Sequence, residues 1–276
     1  MTISAPATRT FKVSSPFFRR LSLFIQLTRR DIEARYRGSA LGIVWSMLTP
    51  LMMLAVYTLV FGTVFKSRWA GSDDHASASQ FAVILFAGLI VFQLFSDVIL
   101  RAPTIIIANA NLVKRVVFPL ELLLPVVFGS ALFHASISFL ILLPFIFLVF
   151  GELHPTLVYL PLVLAPLAVL CLGIGWFLAS IGTFIRDIGQ IVGTMTTALL
   201  FLAPIFFPLT ALPEWIRPAL VFNPLTIPIE QMRQIAIFGH EPDFVALGIY
   251  SAVALVVAVF GFTWFQKTRK GFADVL

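Results

Sequence analysis

Six runs of residues, at about 39–65, 80–100, 122–150, 157–184, 190–210 and 244–266, carry no charge or nearly none. Each is long enough as a helix to cross the ~30 Å hydrocarbon core of a bilayer. Prolines at 50, 125, 144, 166 and 204 interrupt several of them; bundled membrane helices tolerate such breaks where neighbours satisfy the freed backbone groups. The pattern predicts an all-α integral membrane protein with six transmembrane helices.

Two stretches are patterned differently. Over residues 17–37, a rotation of 100° per residue gathers Phe17, Leu21, Phe24, Ile25, Thr28 and Ile32 on one side. Arg19, Ser22, Gln26, Arg29, Arg30, Glu33 and Arg37 fall opposite, while Arg20, Asp31 and Arg35 sit off the pattern. This is the signature of an amphipathic helix lying in the interface plane. Charge then ceases from Gly38 until Lys66, so Gly38 marks a bend from surface helix into first span. The second stretch, 208–243, is too polar and too rich in proline to cross. It is expected to form two short re-entrant helices dipping in from the outer side between spans 5 and 6, with Trp215 as an interfacial anchor; an ordinary external loop is the alternative. Residues 1–16 are polar, lack the apolar core of a signal peptide, and are expected to be a flexible cytoplasmic tail.

Composition agrees with the pattern. Of 276 residues 59% are hydrophobic and 12% charged, with a mean hydropathy of +1.00, whereas soluble domains carry roughly 25% charged residues. The net charge of +6 raises nucleic acid as a partner, but the placement of the cations explains it otherwise. With the N-terminus inside, all 19 Lys and Arg residues except Lys66, Arg68, Arg217 and Arg233 fall in cytoplasmic segments. The positive-inside rule then places both termini in the cytoplasm, and nucleic acid drops out. The one cysteine, Cys171, lies in an apolar run and forms no internal disulfide.

Catalytic chemistry finds little support. There is no GxxxxGK[ST] loop to cradle ATP and no HExxH zinc motif, and His75, His134, His154 and His240 are scattered without ligand spacing. No metal site is expected; Asp73 and Asp74 read as a solvated turn. Asp97 and Arg101 stand four apart near the inner end of the second span, where they can pair along the helix. Nothing resembles a proton relay. Gly173, Gly175, Ala179 and Gly182 recur along the fourth span, and Gly189 and Gly193 form a GxxxG at the start of the fifth. Small faces permit close helix approach, within the chain or between subunits. Trp45, Tyr57, Phe61 and Phe65 on the first span, and Phe201, Phe206 and Phe207 on the fifth, can face lipid or line a path for sugars.

The string "RRDIEARYRGSALGIVWSMLTPLMMLAVYTLVFGTVF" resembles the opening of the type-2 ABC exporter permeases for O-antigens, capsules and teichoic acids. It carries Arg30-Asp31-Ile32, Arg35-Tyr36, Ser39, Leu41-Gly42, Trp45, Pro50 and Tyr57 in the family's order. "NANLVKRVVFPLELL" (109–123), "FIRDIGQI" (184–191), "APIFFP" (203–208), "FNPLT" (222–226) and the terminal "KGFADVL" extend the likeness over about 17–276. The resemblance implies one transmembrane domain over 39–270, homodimerisation, and two copies of a separate P-loop ATPase that binds ATP and Mg, leaving this chain without a cofactor and without catalytic residues. It implies a cytoplasmic coupling helix at about 109–119, bearing Asn109, Asn111, Lys114, Arg115, Phe118 and Pro119, and gate helices at about 208–243. It implies export of a lipid-linked polysaccharide, an O-antigen destined for lipopolysaccharide, across the inner membrane. An undecaprenyl-diphosphate carrier would meet Arg29, Arg30, Arg35, Tyr36 and Arg37 at the bilayer surface, and Trp45, Tyr57, Phe61, Phe201, Phe206 and Phe207 would line the pore. A type-2 permease for drugs or small lipids, and an integral-membrane glycan-modifying enzyme, are the other readings.

Overall fold

A computed structural model of the chain describes residues 16–60, 78–113, 118–209, 213, 220 and 223–276, which are mostly helical with no strand among them. The first helix, α1, is Pro16–Arg35. Its last turn closes with bonds from Tyr36 N to Glu33 O and from Ser39 N to Tyr36 O (3.3 and 3.1 Å). Gly38 then takes φ +86°, a conformation that only glycine adopts at no steric cost. The bend expected at Gly38 is therefore made there. A short turn at Gly42–Val44 leads into α2, Trp45–Tyr57.

The remaining helices follow in order: α3 Ala78–Arg101, single turns α4 Ile105–Ala108 and α5 Ala110–Val113, α6 Leu123–Phe150, α7 Leu160–Phe184, α8 Ile188–Leu202, α9 Thr226–Ala236, α10 Phe244–Thr268 and α11 Phe272–Val275. Among the described residues five helical stretches are long and apolar enough to cross a membrane: Gly42–Val60, Ser79–Ala108, Leu120–Phe150, Pro155–Phe184 and Phe244–Val275. They match five of the six expected runs. The sixth, expected over 190–210, is shorter: α8 ends at Leu202 because Ala203 turns extended (φ −81°, ψ 150°) ahead of Pro204. At 1.5 Å per residue it reaches about 22 Å.

The segment carrying α3 is the centre of the bundle. Most of its residues from Phe81 to Ile99 are buried, and α2, α6, α7, α8 and α9 all pack on it. A sequence apolar on every side, "FAVILFAGLIVF", suits a helix enclosed on every side. The α7–α10 contact rests on glycine: a Cβ at Gly173 would lie 2.6 Å from Ala258 Cα, and one at Gly261 would enter the Gly173 carbonyl. The small-residue face of the fourth span is thus internal packing. Gly175 admits Leu124 and Gly182 admits the Pro103 backbone. The chain end is pinned by Arg269 to Glu121 at 3.0 Å and by fully buried Phe272 against Phe265.

Several expected features lie outside the described residues: most of the 1–16 tail, Phe61, Phe65, the Asp73-Asp74 turn with His75, Lys114, Arg115 and Trp215. One helix, α9, is described in the 208–243 stretch where two were expected, and the segment that would hold the first is largely outside them too.

Candidate functional site

At one end of α3, α1 is fastened by two crossed ion pairs. Arg35 donates to both carboxylate oxygens of Asp97 (2.8 and 3.4 Å), and Arg101 donates to both of Asp31 (3.0 and 2.6 Å). The expected pairing of Asp97 with Arg101 along one helix is not what forms. The physical reason is geometry: Asp31 and Arg35 share one face of α1 at a spacing of four, Asp97 and Arg101 share one face of α3 at the same spacing, and the two sets lie opposite in antiparallel order. Each guanidinium then meets a carboxylate edge-on, the two-bond arrangement that favours Arg. Bonding to Asp97 raises the Arg35 pKa further above its already high ordinary value. Beside this clasp, Tyr36 Oη and His134 Nδ1 of α6 are 3.1 Å apart with their rings edge to face; burial lifts the Tyr36 hydroxyl above its usual pKa. Phe24 and Thr28 of α1 close on Gly129 of α6, where an added Cβ would lie 3.1 and 3.0 Å from them.

The five residues expected at the carrier lipid are therefore divided. Arg35 and Tyr36 are brought together as an anchor of α1. Arg29 pairs with exposed Glu33 at 2.8 Å, and its pKa is raised by that hydrogen bond. Arg30 and Arg37 are exposed and pair with no carboxylate among the described residues. Of the coupling set, Asn109 caps back onto Ile105 O at 2.9 Å, Asn111 is exposed, and Phe118 and Pro119 are half-buried. Of 109–119, what is described besides Phe118 and Pro119 is the one turn of α5 after an irregular Asn109 (φ −115°, ψ 30°).

The aromatic set also divides. Phe201, 64% exposed, stacks on Phe206 with centroids 5.9 Å apart, and Phe207 is half-buried beside them in sequence. Trp45 is exposed at the start of α2, while Tyr57 packs half-buried against the core.

Between α3 and α8 runs an open groove of ≈ 490 Å³. Phe92, Ser96 and Leu100 form one wall; Gln190, Gly193, Thr194, Thr196, Thr197 and Leu200 form the other. Exposed Gln190, Thr194 and Thr197 recur at spacings of four and three, a polar stripe along an apolar helix. That periodicity is visible in "GQIVGTMTTALLF" (189–201), where it is interleaved with the glycines and apolar residues. Gly189 and Gly193 have nothing within 4 Å of an added Cβ, so this GxxxG packs against nothing in the described chain.

At the far end of α8 sits a wholly buried cation. Arg233 of α9 has 0% exposure, though its position in a polar stretch led it to be counted with the outer-loop charges. Its Nε donates to Ile84 O (3.2 Å), Nη1 to Pro204 O (2.5 Å) and to Glu230 (3.1 Å), and Nη2 to Ile205 O (2.7 Å). One side chain thus ties α9 to α3 and to the end of α8. Burial lowers its pKa to about 10, which leaves it charged near neutrality, and the same burial raises that of Glu230. Gly88 makes room for it: an added Cβ would lie 2.9 Å from Nη2. The available sequence signal is Glu230 and Arg233 at helical spacing among apolar residues.

The chain matches the ABC-2 type transporter family over residues 22–237. It is 25% identical over 259 residues to the O-antigen export system permease protein RfbA of Klebsiella pneumoniae, a match covering 92% of this chain and 95% of that protein. Its identity to RfbA of Myxococcus xanthus is 28% over 259 residues, covering 91% and 94%. To the polysialic acid transport protein KpsM of Escherichia coli it is 27% over 244 residues, covering 87% and 91%.

Proposed function

The chain belongs to the ABC-2 type transporter family, and we propose from that premise that it is the permease subunit of an ATP-driven exporter of lipid-linked polysaccharide, with O-antigen as the cargo. The observation that carries this reading beyond family membership is the α3–α8 groove, a hydroxyl- and amide-lined trough in a bundle otherwise suited to hydrocarbon. Exposed polar side chains on a membrane helix face a wet path or a second subunit rather than lipid.

In this reading α8 serves as a sixth span beside the five longer ones, both termini lie in the cytoplasm, and the site of action is the cytoplasmic membrane. Two copies of the chain enclose the path, and two ATPase subunits dock through the segment that includes Asn111, Lys114 and Arg115. Arg30 and Arg37 are the arginines available to a carrier diphosphate, since Arg35 is held by Asp97. The stacked Phe201 and Phe206 offer sugar rings an apolar contact near the outer end of α8, beside the gate helix α9. ATP-driven closure of the partner would open the path by a rigid-body change.

The test is loss and restoration of surface glycan. Cells deleted for the gene should accumulate lipid-linked glycan on the cytoplasmic side and lose it from the surface, and the wild-type gene should restore it. Unchanged surface glycan in the deletion strain would overturn the proposal.

A further inference from the structure

We propose that the α3–α8 groove is a site for a neutral, hydroxyl-rich glycan segment and discriminates against acidic sugars; this rests on the polysaccharide-export reading and deepens it. The first observation is charge: among the described residues no ionisable side chain lines the groove. The nearest acid on α3, Asp97, is engaged by Arg35. A carboxylate or phosphate drawn into such a trough would lose water and gain no cation, which is costly at membrane depth.

The second observation is the polarity of the hydrogen bonds. The hydroxyls of Ser96, Thr194, Thr196 and Thr197 donate to the backbone carbonyls of Gln93, Gln190, Val192 and Gly193 (3.2, 3.2, 2.8 and 3.0 Å). Their hydrogens are spent on their own helices, so what Thr194 and Thr197 offer the groove is oxygen lone pairs. With its hydrogen directed at its own helix, a threonine oxygen presents lone pairs to the groove. Sugar hydroxyls are donors and satisfy that wall. A carboxylate has only acceptors and would face acceptors. The amide of Gln190 supplies the one side-chain N–H donor along the lining, enough for a neutral hydroxyl and too little for an anion. The bare backbone at Gly193 leaves space for a ring to approach.

The experiment uses the permease with its own ATPase subunit in lipid vesicles. Two undecaprenyl-diphosphate-linked glycans of equal length are compared, a neutral hexose polymer and its counterpart with uronic acid units. The neutral glycan should be translocated, and the acidic one at least about tenfold less efficiently, the scale of one polar group left unmatched. Thr194→Val, which keeps shape and removes the acceptor, should raise the apparent KM for the neutral glycan; Thr197→Lys should narrow or reverse the preference. Equal transport of both glycans by the wild type would overturn the inference while leaving export intact, and so would a Thr197→Lys protein that folds, transports and keeps the preference. Failure of both glycans with an active ATPase would instead count against the polysaccharide-export reading.

Discussion

The guanidinium of Arg35 lies 2.8 Å from the carboxylate of Asp97 on another helix, although Arg101 stands four residues further along Asp97's own helix. The choice of partner ties α1 to the centre of the bundle. Arg35→Asp sets a second acid against Asp97 and should lower thermal stability by up to about 1 kcal/mol, the modest scale of a partly exposed pair. The double exchange Arg35→Asp with Asp97→Arg should recover most of it. Thermal unfolding in detergent, analysed as a double-mutant cycle, measures this; no recovery would mean the pair is incidental.

Arg233 predicts a larger effect. Arg233→Met removes the donors to the Ile84, Pro204 and Ile205 carbonyls and strands Glu230. Each buried acceptor left unmade costs about 1–3 kcal/mol, so the expected outcome is loss of folded protein on size-exclusion chromatography. Gly88→Ala, which sets a methyl 2.9 Å from Nη2, should be milder yet still lower the unfolding temperature. An unshifted transition in Gly88→Ala would show that the guanidinium has room to move.

The glycines should fall into two groups. Gly261→Ala drives a methyl into the Gly173 carbonyl and should cost upwards of about 1 kcal/mol, as overpacking does. Gly189→Ala meets nothing within 4 Å and replaces a poor helix former by a good one, a gain of up to about 1 kcal/mol. Thermal midpoints of the two variants should therefore move in opposite directions.

The coupling assignment makes a prediction of its own. Lys114→Glu with Arg115→Glu should abolish co-purification of the ATPase subunit while leaving the permease folded and in the membrane. Undiminished co-purification would place the contact elsewhere.

Much of this architecture is legible in the sequence because hydrocarbon imposes length and apolarity on anything that crosses it. Five of the long runs follow from that demand, and the helix before them and the bend at Gly38 follow from the amphipathic spacing of 17–37 and the glycine that ends it. What escapes the sequence is decided by which faces meet. Asp97 has an acceptable neighbour at Arg101, so local spacing gives no reason to look to residue 35. Arg233 sits in a polar stretch, where a charge ordinarily means solvent, and the converging carbonyls of Ile84, Pro204 and Ile205 together with Glu230 make its burial tolerable. α8 falls short of 210 because one residue before Pro204 turns extended, a decision made at a single peptide. The threonine stripe of α8 is legible as a polar periodicity of four and three within an apolar run.

The crossed clasp has one further consequence. Asp31 precedes Arg35 by four residues and Asp97 precedes Arg101 by four, the favourable order for pairing along a helix. Each helix thus carries a spare partner for its own ions. If α1 lifts away, two bridges between helices become two bridges within them, and no charge is stranded. The grip on the departing helix is then set by the fit of Phe24 and Thr28 over Gly129 and by the Tyr36–His134 contact. The double exchange variant keeps both crossed bridges but puts like charges together on each helix. It turns a releasable buckle into a weld.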